Sequence, residues 1–260
     1  MSIKQLHWQT IVLSEAPTLG EANCHIWCIE LANDDRPLLL ESQQADANTF
    51  LSDIQWDKYQ RRKVGLTRNT YLAGRYWLLR LLSVYKGIEP TEIKIAYNRL
   101  NKPYLEPSQG ALQFNFSDSV RASEHGKTSV GMYAFCLSNE VGIDLEAGER
   151  SIDFDRLAAR RFTPTEQEFM NAGDAKQKMR RCLQIWTRKE ASGKARGLGI
   201  NFQMNELNLI EGDRPELTFI ADDQHWALQQ FSGPKQEIGC IVTGGEQPLE
   251  IQAFTVSEPF

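Results

Sequence analysis

No apolar run in this 260-residue chain approaches the roughly 20 residues needed to cross a bilayer, so no membrane partner is expected. Basic residues are in deficit: 29 Lys and Arg stand against 34 Asp and Glu, for a formal net charge of −5. A duplex-binding protein shows the opposite balance, so nucleic acid is not an expected partner. Residues 1–10 lack the basic-then-apolar order of a secretion leader, and the chain reads as cytoplasmic. Cysteines are few, odd in number at five, and scattered through a chain too large to need covalent staples, which points to free thiols in a reducing compartment. Cys24 and Cys28 flank His25, but the spacing fits no zinc pattern and no second pair of ligands lies nearby. They read as packed strand residues. Long linkers and low-complexity segments are absent too. What remains is an ordinary globular composition, 41% apolar and 24% charged, long enough for one large domain or two small ones.

Periodicity predicts a strand over 22–31, then a mostly helical stretch over 48–86 in which Leu51, Ile54, Tyr71, Leu72, Leu78, Leu79 and Leu82 recur at helical spacing. Gly87 and Pro90 end it. Strands follow at 93–97, 114–116, 129–137 and 141–146, and helices at 153–161 and 179–195, the latter stopped by Gly197 and Gly199. Thr163-Pro164-Thr165-Glu166 is a helix start, with the proline where a missing amide costs nothing. Strand-like runs at 207–210, 217–220, 226–231 and 237–243 complete the chain. A faint echo links 114–116 and 130–135 with 226–228 and 238–242, which suggests two like α+β halves meeting near 137–140.

Two segments carry chemistry. Val141-Gly-Ile-Asp144-Leu-Glu146 alternates so that Gly142, Asp144 and Glu146 share one strand face. Such a face is either a solvated edge or a pair of metal ligands, because like charges on one face repel unless a cation neutralises them. Gly142 leaves room for a close backbone or ligand approach. In Trp186-Thr-Arg-Lys189-Glu190-Ala-Ser-Gly-Lys194, Trp186, Glu190 and Lys194 fall at four-residue steps down one helix side. Glu190 and Lys194 alone are an ordinary surface pair; Trp186 one turn earlier argues that this side turns inward. Together the two segments offer three carboxylates and two lysines, which suits a hard divalent cation holding a pyrophosphate.

These motifs resemble those of the 4'-phosphopantetheinyl transferases of the Sfp/EntD type. Further segments agree in order: Arg68 with Leu72-Ala-Gly-Arg75, Asn101-Lys102-Pro103 with Leu105, Phe114-Asn-Phe-Ser117-Asp118-Ser119, and Arg161-Phe-Thr-Pro-Thr-Glu166. Each is weak alone; the ordered set, spanning about 61–199, is specific. The resemblance implies an α+β fold, a pseudo-twofold monomer whose halves each set a small, mainly antiparallel sheet on a long helix. Residues 1–138 would serve the adenosine and 3'-phosphate side of coenzyme A, and residues 139–260 the Mg²⁺ and pyrophosphate side and carrier docking. Asp144, Glu146 and Glu190 would ligate Mg²⁺; Lys194 and Lys189 would offset phosphate charge; Glu190 is also a candidate base. Asn101, Lys102 and Pro103 would lie along the adenine and 3'-phosphate side, Ser117 would donate to that phosphate, and Arg68 and Arg75 fall in the family's basic region or on a solvated face. Arg61, Arg62 and Lys63 read as a solvated run that could reach the phosphate. The implied reaction moves 4'-phosphopantetheine from coenzyme A to a serine of an acyl or peptidyl carrier protein, as a holo-carrier synthase does.

Departures keep rival readings open. Asp118 stands where the family has histidine, an acceptor of like charge in place of a donor. It turns away, is bridged by an arginine such as Arg68, or weakens coenzyme binding. His125 in the neighbouring loop could replace the missing histidine. Ser192 and Gly193 replace bulkier residues, and glycine inside a helix costs about 1 kcal/mol relative to alanine. The alternatives are an impaired or non-catalytic coenzyme- or carrier-binding homologue, and a metal-dependent phosphohydrolase. For an acidic carrier, Arg160, Arg161, Lys176, Lys178, Arg180 and Arg181 are candidate docking charges, with Phe162, Phe169 and Met170 as apolar anchors.

Overall fold

The computed structural model describes residues 3–123, 126–147, 153–199 and 203–257. In chain order its elements are β1 (Lys4–Gln5), β2 (Trp8–Ile11), β3 (Asn23–Asn33), α1 (Glu41–Phe50), α2 (Asp53–Gln60), α3 (Leu66–Lys86), β4 (Ile95–Tyr97), β5 (Pro103–Leu105), β6 (Gln113–Ser123), β7 (Gly126–Cys136) and β8 (Val141–Glu146). There follow α4 (Phe154–Arg161), α5 (Pro164–Asn171), α6 (Ala175–Ala195), β9 (Glu216–Ala221), β10 (Gln224–Ser232), β11 (Ile238–Gly244) and β12 (Glu250–Val256). This is an α+β architecture, as expected. Among the described residues no helix is long and apolar enough to cross a membrane.

One five-stranded sheet runs β2-β12-β3-β7-β6 and carries α3; a second runs β1-β10-β11-β8, with β9 also on β10, and carries α6; β4 and β5 pair as a separate two-stranded sheet. β3 is buried on both faces, which is why its sequence reads as a nearly continuous apolar run. Trp27, Ile29 and Leu31 face α3 in a core with Trp77, Leu78 and Leu82. The alternate residues Cys24, Ile26 and Cys28 meet Val141, Ile143, Leu145 and Ile241 between the two sheets. Cys24 and Cys28 are thus packing residues, and all five cysteines are free thiols.

The ends of the chain cross over. β1 pairs in parallel with β10, so an N-terminal strand completes the second sheet. β12 lies between β2 and β3, parallel to both, so a C-terminal strand sits inside the first. Sheet membership therefore does not follow a division at 138/139.

The 48–86 stretch forms parts of three helices. Ser52 caps α2 by accepting the Gln55 N–H, and Gly65 at φ 98° turns the chain before α3. Gly87 in the left-handed region ends α3. The strand expected at 207–210 is absent, and the cause is local. Glu166 accepts the Leu209 N–H, Arg188 donates to the Leu209 carbonyl, and Lys189 donates to the Leu207 carbonyl, so side chains have taken the groups a ladder would need.

His25 lies in the core beside Tyr85 and Phe254. Trp27 donates to the Tyr85 oxygen and the Tyr85 hydroxyl lies 2.8 Å from His25 Nδ1, an arrangement that suits neutral imidazole. Desolvation lowers the His25 pKa to about 4, opposed by Gln252. The unfolded chain takes up this proton near pH 6.5 and the folded chain does so only near 4, so stability present above 6.5 is lost as pH falls through that window. Between pH 7 and pH 5 the loss should be about 2 kcal/mol. Urea unfolding at both values, for the wild type and His25→Gln, checks it: the variant should lack the drop.

Candidate active site

β8 pairs with β11 on one side and lies beside β6 on the other. Among the described residues β6 and β8 share no backbone ladder; side chains bridge them. Asn115 Oδ1 accepts the Ile143 N–H at 3.0 Å. Ser117 donates to Asp144 Oδ1 at 2.8 Å, and Ser119 accepts the Ala147 N–H at 3.1 Å. Alternation on both strands aligns these groups, so Asp144 and Glu146 lie along a seam between sheet edges. Both are buried.

α6 crosses β8 at Gly142 with no room to spare. A Cβ there would stand 2.2 Å from both the Ala191 carbonyl oxygen and the Ala195 nitrogen. The approach brings one side of α6 over the seam. Lys194 Nζ donates to Asp144 Oδ1 at 2.7 Å, Ser117 Oγ at 2.9 Å and the Ile143 carbonyl at 3.1 Å. Asp144 Oδ2 is buried with no partner among the described residues. Asp144, Glu146, Glu190, Lys194 and Trp186 line one cavity of about 320 Å³. The two segments singled out by their spacing thus meet. Among the described residues, no three His, Cys, Asp or Glu side chains are grouped as a ready-made metal cage.

Two more chambers adjoin. One, about 150 Å³, is lined by Arg62, Arg75, Tyr71, Thr67, Thr70, Ser117 and Asp118. The other, about 240 Å³, is lined by Leu100, Asn101, Lys102, Pro103, Glu190, Gly193, Lys194 and Met204. Phe116 lines all three. Asn101, at φ 66°, makes the turn that presents Lys102 and Pro103. The Lys102 ammonium donates to the Ala195 carbonyl at 2.7 Å and so caps the C-terminal end of α6. Burial lowers its pKa.

Arg75 stacks 4.7 Å from the Phe116 ring and 5.3 Å from Tyr71, while Arg62 lies 4.5 Å over Tyr71. Asp118 stands among these cations. Desolvation pushes its carboxyl pKa up, opposed by Lys194, Arg62 and Arg75.

Several assignments need correction. Lys189 does not reach the cleft. It is fully buried, paired with Glu166 at 2.7 Å, and donates to the Met204 carbonyl at 2.5 Å, so it cannot offset coenzyme phosphate charge. Arg68 donates to the Gln60 carbonyl at 2.7 Å and the Arg62 carbonyl at 3.0 Å, and lies over Tyr59, so among the described residues it does not pair with Asp118 and it lines none of the three chambers. Arg62 lines the chamber beside Asp118 instead, and no spacing rule in the sequence could have preferred it across the turn at Gly65. His125 lies outside the described residues. Phe162 and Met170 are core residues and cannot anchor a carrier. Arg181 is held on Phe169 and Lys178 pairs with Asp155, whereas Arg160, Lys176 and Arg180 are exposed.

Comparison with known proteins follows the same segments. A family model described as the 4'-phosphopantetheinyl transferase superfamily matches residues 140–242. The chain is 33% identical over 185 residues to the 4'-phosphopantetheinyl transferase HetI of Nostoc sp., covering 70% of this chain and 72% of that protein. It is 26% identical to a phosphopantetheinyl transferase of Thraustochytrium sp., over 65% of this chain and 60% of the relative. It is also 26% identical to a 4'-phosphopantetheinyl transferase of Bacillus subtilis, over 54% and 57%.

Proposed function

From the premise that this chain belongs to the 4'-phosphopantetheinyl transferase superfamily, we propose that it transfers 4'-phosphopantetheine from coenzyme A to a serine of an acyl or peptidyl carrier protein, with Mg²⁺. The observation that carries this reading is the meeting of three chemically different chambers at Phe116. A 3'-phosphorylated adenosine has three branches from its ribose: a base, a phosphate monoester and a 5'-pyrophosphate. The chamber of Leu100, Pro103 and Met204 suits the base, that of Arg62 and Arg75 the monoester, and that of Lys194 and the carboxylates the pyrophosphate.

The donor set fits a hard cation: oxygen ligands only, one of them the buried, unpartnered Asp144 Oδ2. Asp144, Glu146 and Glu190 would hold Mg²⁺, which when bound neutralises charge on the pyrophosphate oxygens. Lys194, whose three N–H groups are held by Asp144, Ser117 and the Ile143 carbonyl, sets a fixed positive charge beside the same oxygens without having to be ordered during the reaction. Arg62 and Arg75 hold the far end of the donor, so its β-phosphorus is positioned before the carrier arrives. The carrier serine oxygen then forms a bond to that phosphorus. The bond to the bridging oxygen breaks, and adenosine 3',5'-bisphosphate leaves with the electron pair. Glu190, at the junction of two chambers, receives the serine proton, directly or through water, in a step separate from its service as a cation ligand. An acidic carrier would meet the exposed Arg160, Lys176 and Arg180. The enzyme is taken to act as a cytoplasmic monomer, since every group named above comes from one chain.

Incubation with Mg²⁺, coenzyme A and an apo carrier, followed by intact mass measurement, tests the reading. The carrier should gain one phosphopantetheinyl group. Asp144→Asn should lower kcat/KM by more than about 100-fold, because a direct ligand is lost as well as the Lys194 anchor. Absence of any mass gain across acyl and peptidyl carriers would overturn the transferase reading in favour of a binding homologue.

A further inference from the structure

We propose that Ser119 is a positioning residue that aims the Glu146 carboxylate into the cleft; this rests on the functional reading above. β6 is the edge of one sheet and β8 the edge of the other, so among the described residues the seam between them has no backbone ladder to set its register. What sets it is a row of polar side chains on one face of β6: Asn115, Ser117 and Ser119. The two serines are assigned one carboxylate each. Ser117 serves Asp144, whose short side chain is also gripped by Lys194. Glu146 has one more methylene and therefore more rotamers to lose, and it needs its own guide.

Ser119 supplies it. The residue is buried at 5% exposure, and its oxygen accepts the Ala147 N–H at 3.1 Å. With that side of the hydroxyl taken by a donor, its proton points to an acceptor, and Glu146 Oε2 stands 3.4 Å away. That distance is long for an O–H···O bond, so the hydroxyl steers the carboxylate more than it binds it. Because Ala147 follows Glu146 directly, one hydroxyl fixes both the end of the β8 backbone and the side chain before it. The arrangement is that of an outer partner orienting a ligand.

The experiment uses the full-length protein with coenzyme A and Mn²⁺ as the probe ion, with free Mn²⁺ read by electron paramagnetic resonance. Wild type, Ser119→Ala and Ser119→Thr are compared, each with its melting temperature and its kcat and KM. Ser119→Ala should weaken Mn²⁺ binding by about 10- to 100-fold, and kcat should recover as metal is raised. Ser119→Thr keeps the hydroxyl on a strand-compatible side chain and should bind within about threefold of wild type. Wild-type affinity in folded Ser119→Ala overturns the role of Ser119 while the functional reading stands. Equal weakening in both variants, in step with lost melting temperature, overturns it as well, in favour of a purely structural seam. A wild type that binds no Mn²⁺ and modifies no carrier sinks the functional reading itself, and this role with it.

Discussion

Gly142→Ala should cut kcat/KM by about 100-fold or more, although the substitution adds a single methyl group and touches no ligand. The methyl would meet the Ala191 carbonyl oxygen and the Ala195 nitrogen at 2.2 Å, and it would also lie 2.8 Å from Ala195 Cα. These are backbone atoms of α6, so no side chain can swing aside; the helix itself has to move by about 1 Å. Misplacement on that scale costs on the order of 10²-fold when it separates reacting groups. Here it lifts Glu190 and Lys194 away from Asp144 and Glu146. Overpacking costs about 1–3 kcal/mol in stability, so the variant should still fold at 25 °C. Urea unfolding together with steady-state kinetics checks both parts. Wild-type kinetics in a folded Gly142→Ala protein would show that the approach of α6 to β8 does not set the site.

The largest loss of stability is expected from Glu166→Ala. The Glu166 carboxylate is fully buried and accepts from Thr163 N at 2.8 Å, Leu209 N at 2.9 Å and Lys189 Nζ at 2.7 Å. Removing it leaves the Lys189 ammonium in the interior without a counter-charge, and desolvation already lowers the Lys189 pKa. Breaking a buried pair by removing one partner costs about 3–5 kcal/mol, out of the 5–15 kcal/mol that hold a typical domain. The double variant Glu166→Leu with Lys189→Met should regain most of that loss, because no buried charge is then stranded. Chemical denaturation of wild type, single and double variants measures the difference. A loss below 1 kcal/mol in Glu166→Ala would mean that water reaches Lys189.

The contrast between Lys189 and Glu190 shows what the sequence could and could not convey. Trp186, Glu190 and Lys194 were legible because four-residue steps keep to one side of a helix. Lys189 precedes Glu190 in the chain but points about 100° away around the axis. Adjacency in a motif is not adjacency in a site, and the buried Glu166 that claims Lys189 lies on another helix. Asp144 and Glu146 were legible for the corresponding reason, a strict alternation of two. The arginines were not. Arg62 and Arg68 have the same chemistry, and only the turn at Gly65 decides that the first faces the chamber and the second caps α2. The run at 207–210 looked like a strand because it is apolar. Its fate was set by hydrogen-bonding side chains 18 to 43 residues away, which no local window contains.

The exchange of end strands bears on how such a chain can be made. Synthesis runs from the first residue to the last, so β12 is the last of the described strands to leave the ribosome, yet its place is inside a sheet whose other members emerged long before. Until residues 250–256 arrive, β3 has one open flank, with His25 and Trp27 still waiting for Phe254. A nascent chain would therefore hold a sticky, half-finished sheet for most of its translation, and the cleft it supports would form in one late step. Slowing elongation between residues 140 and 250, after the other strands of that sheet are made and before β12 is, should then prolong exposure of that flank to chaperones and proteases, whereas slowing it before residue 23 should not.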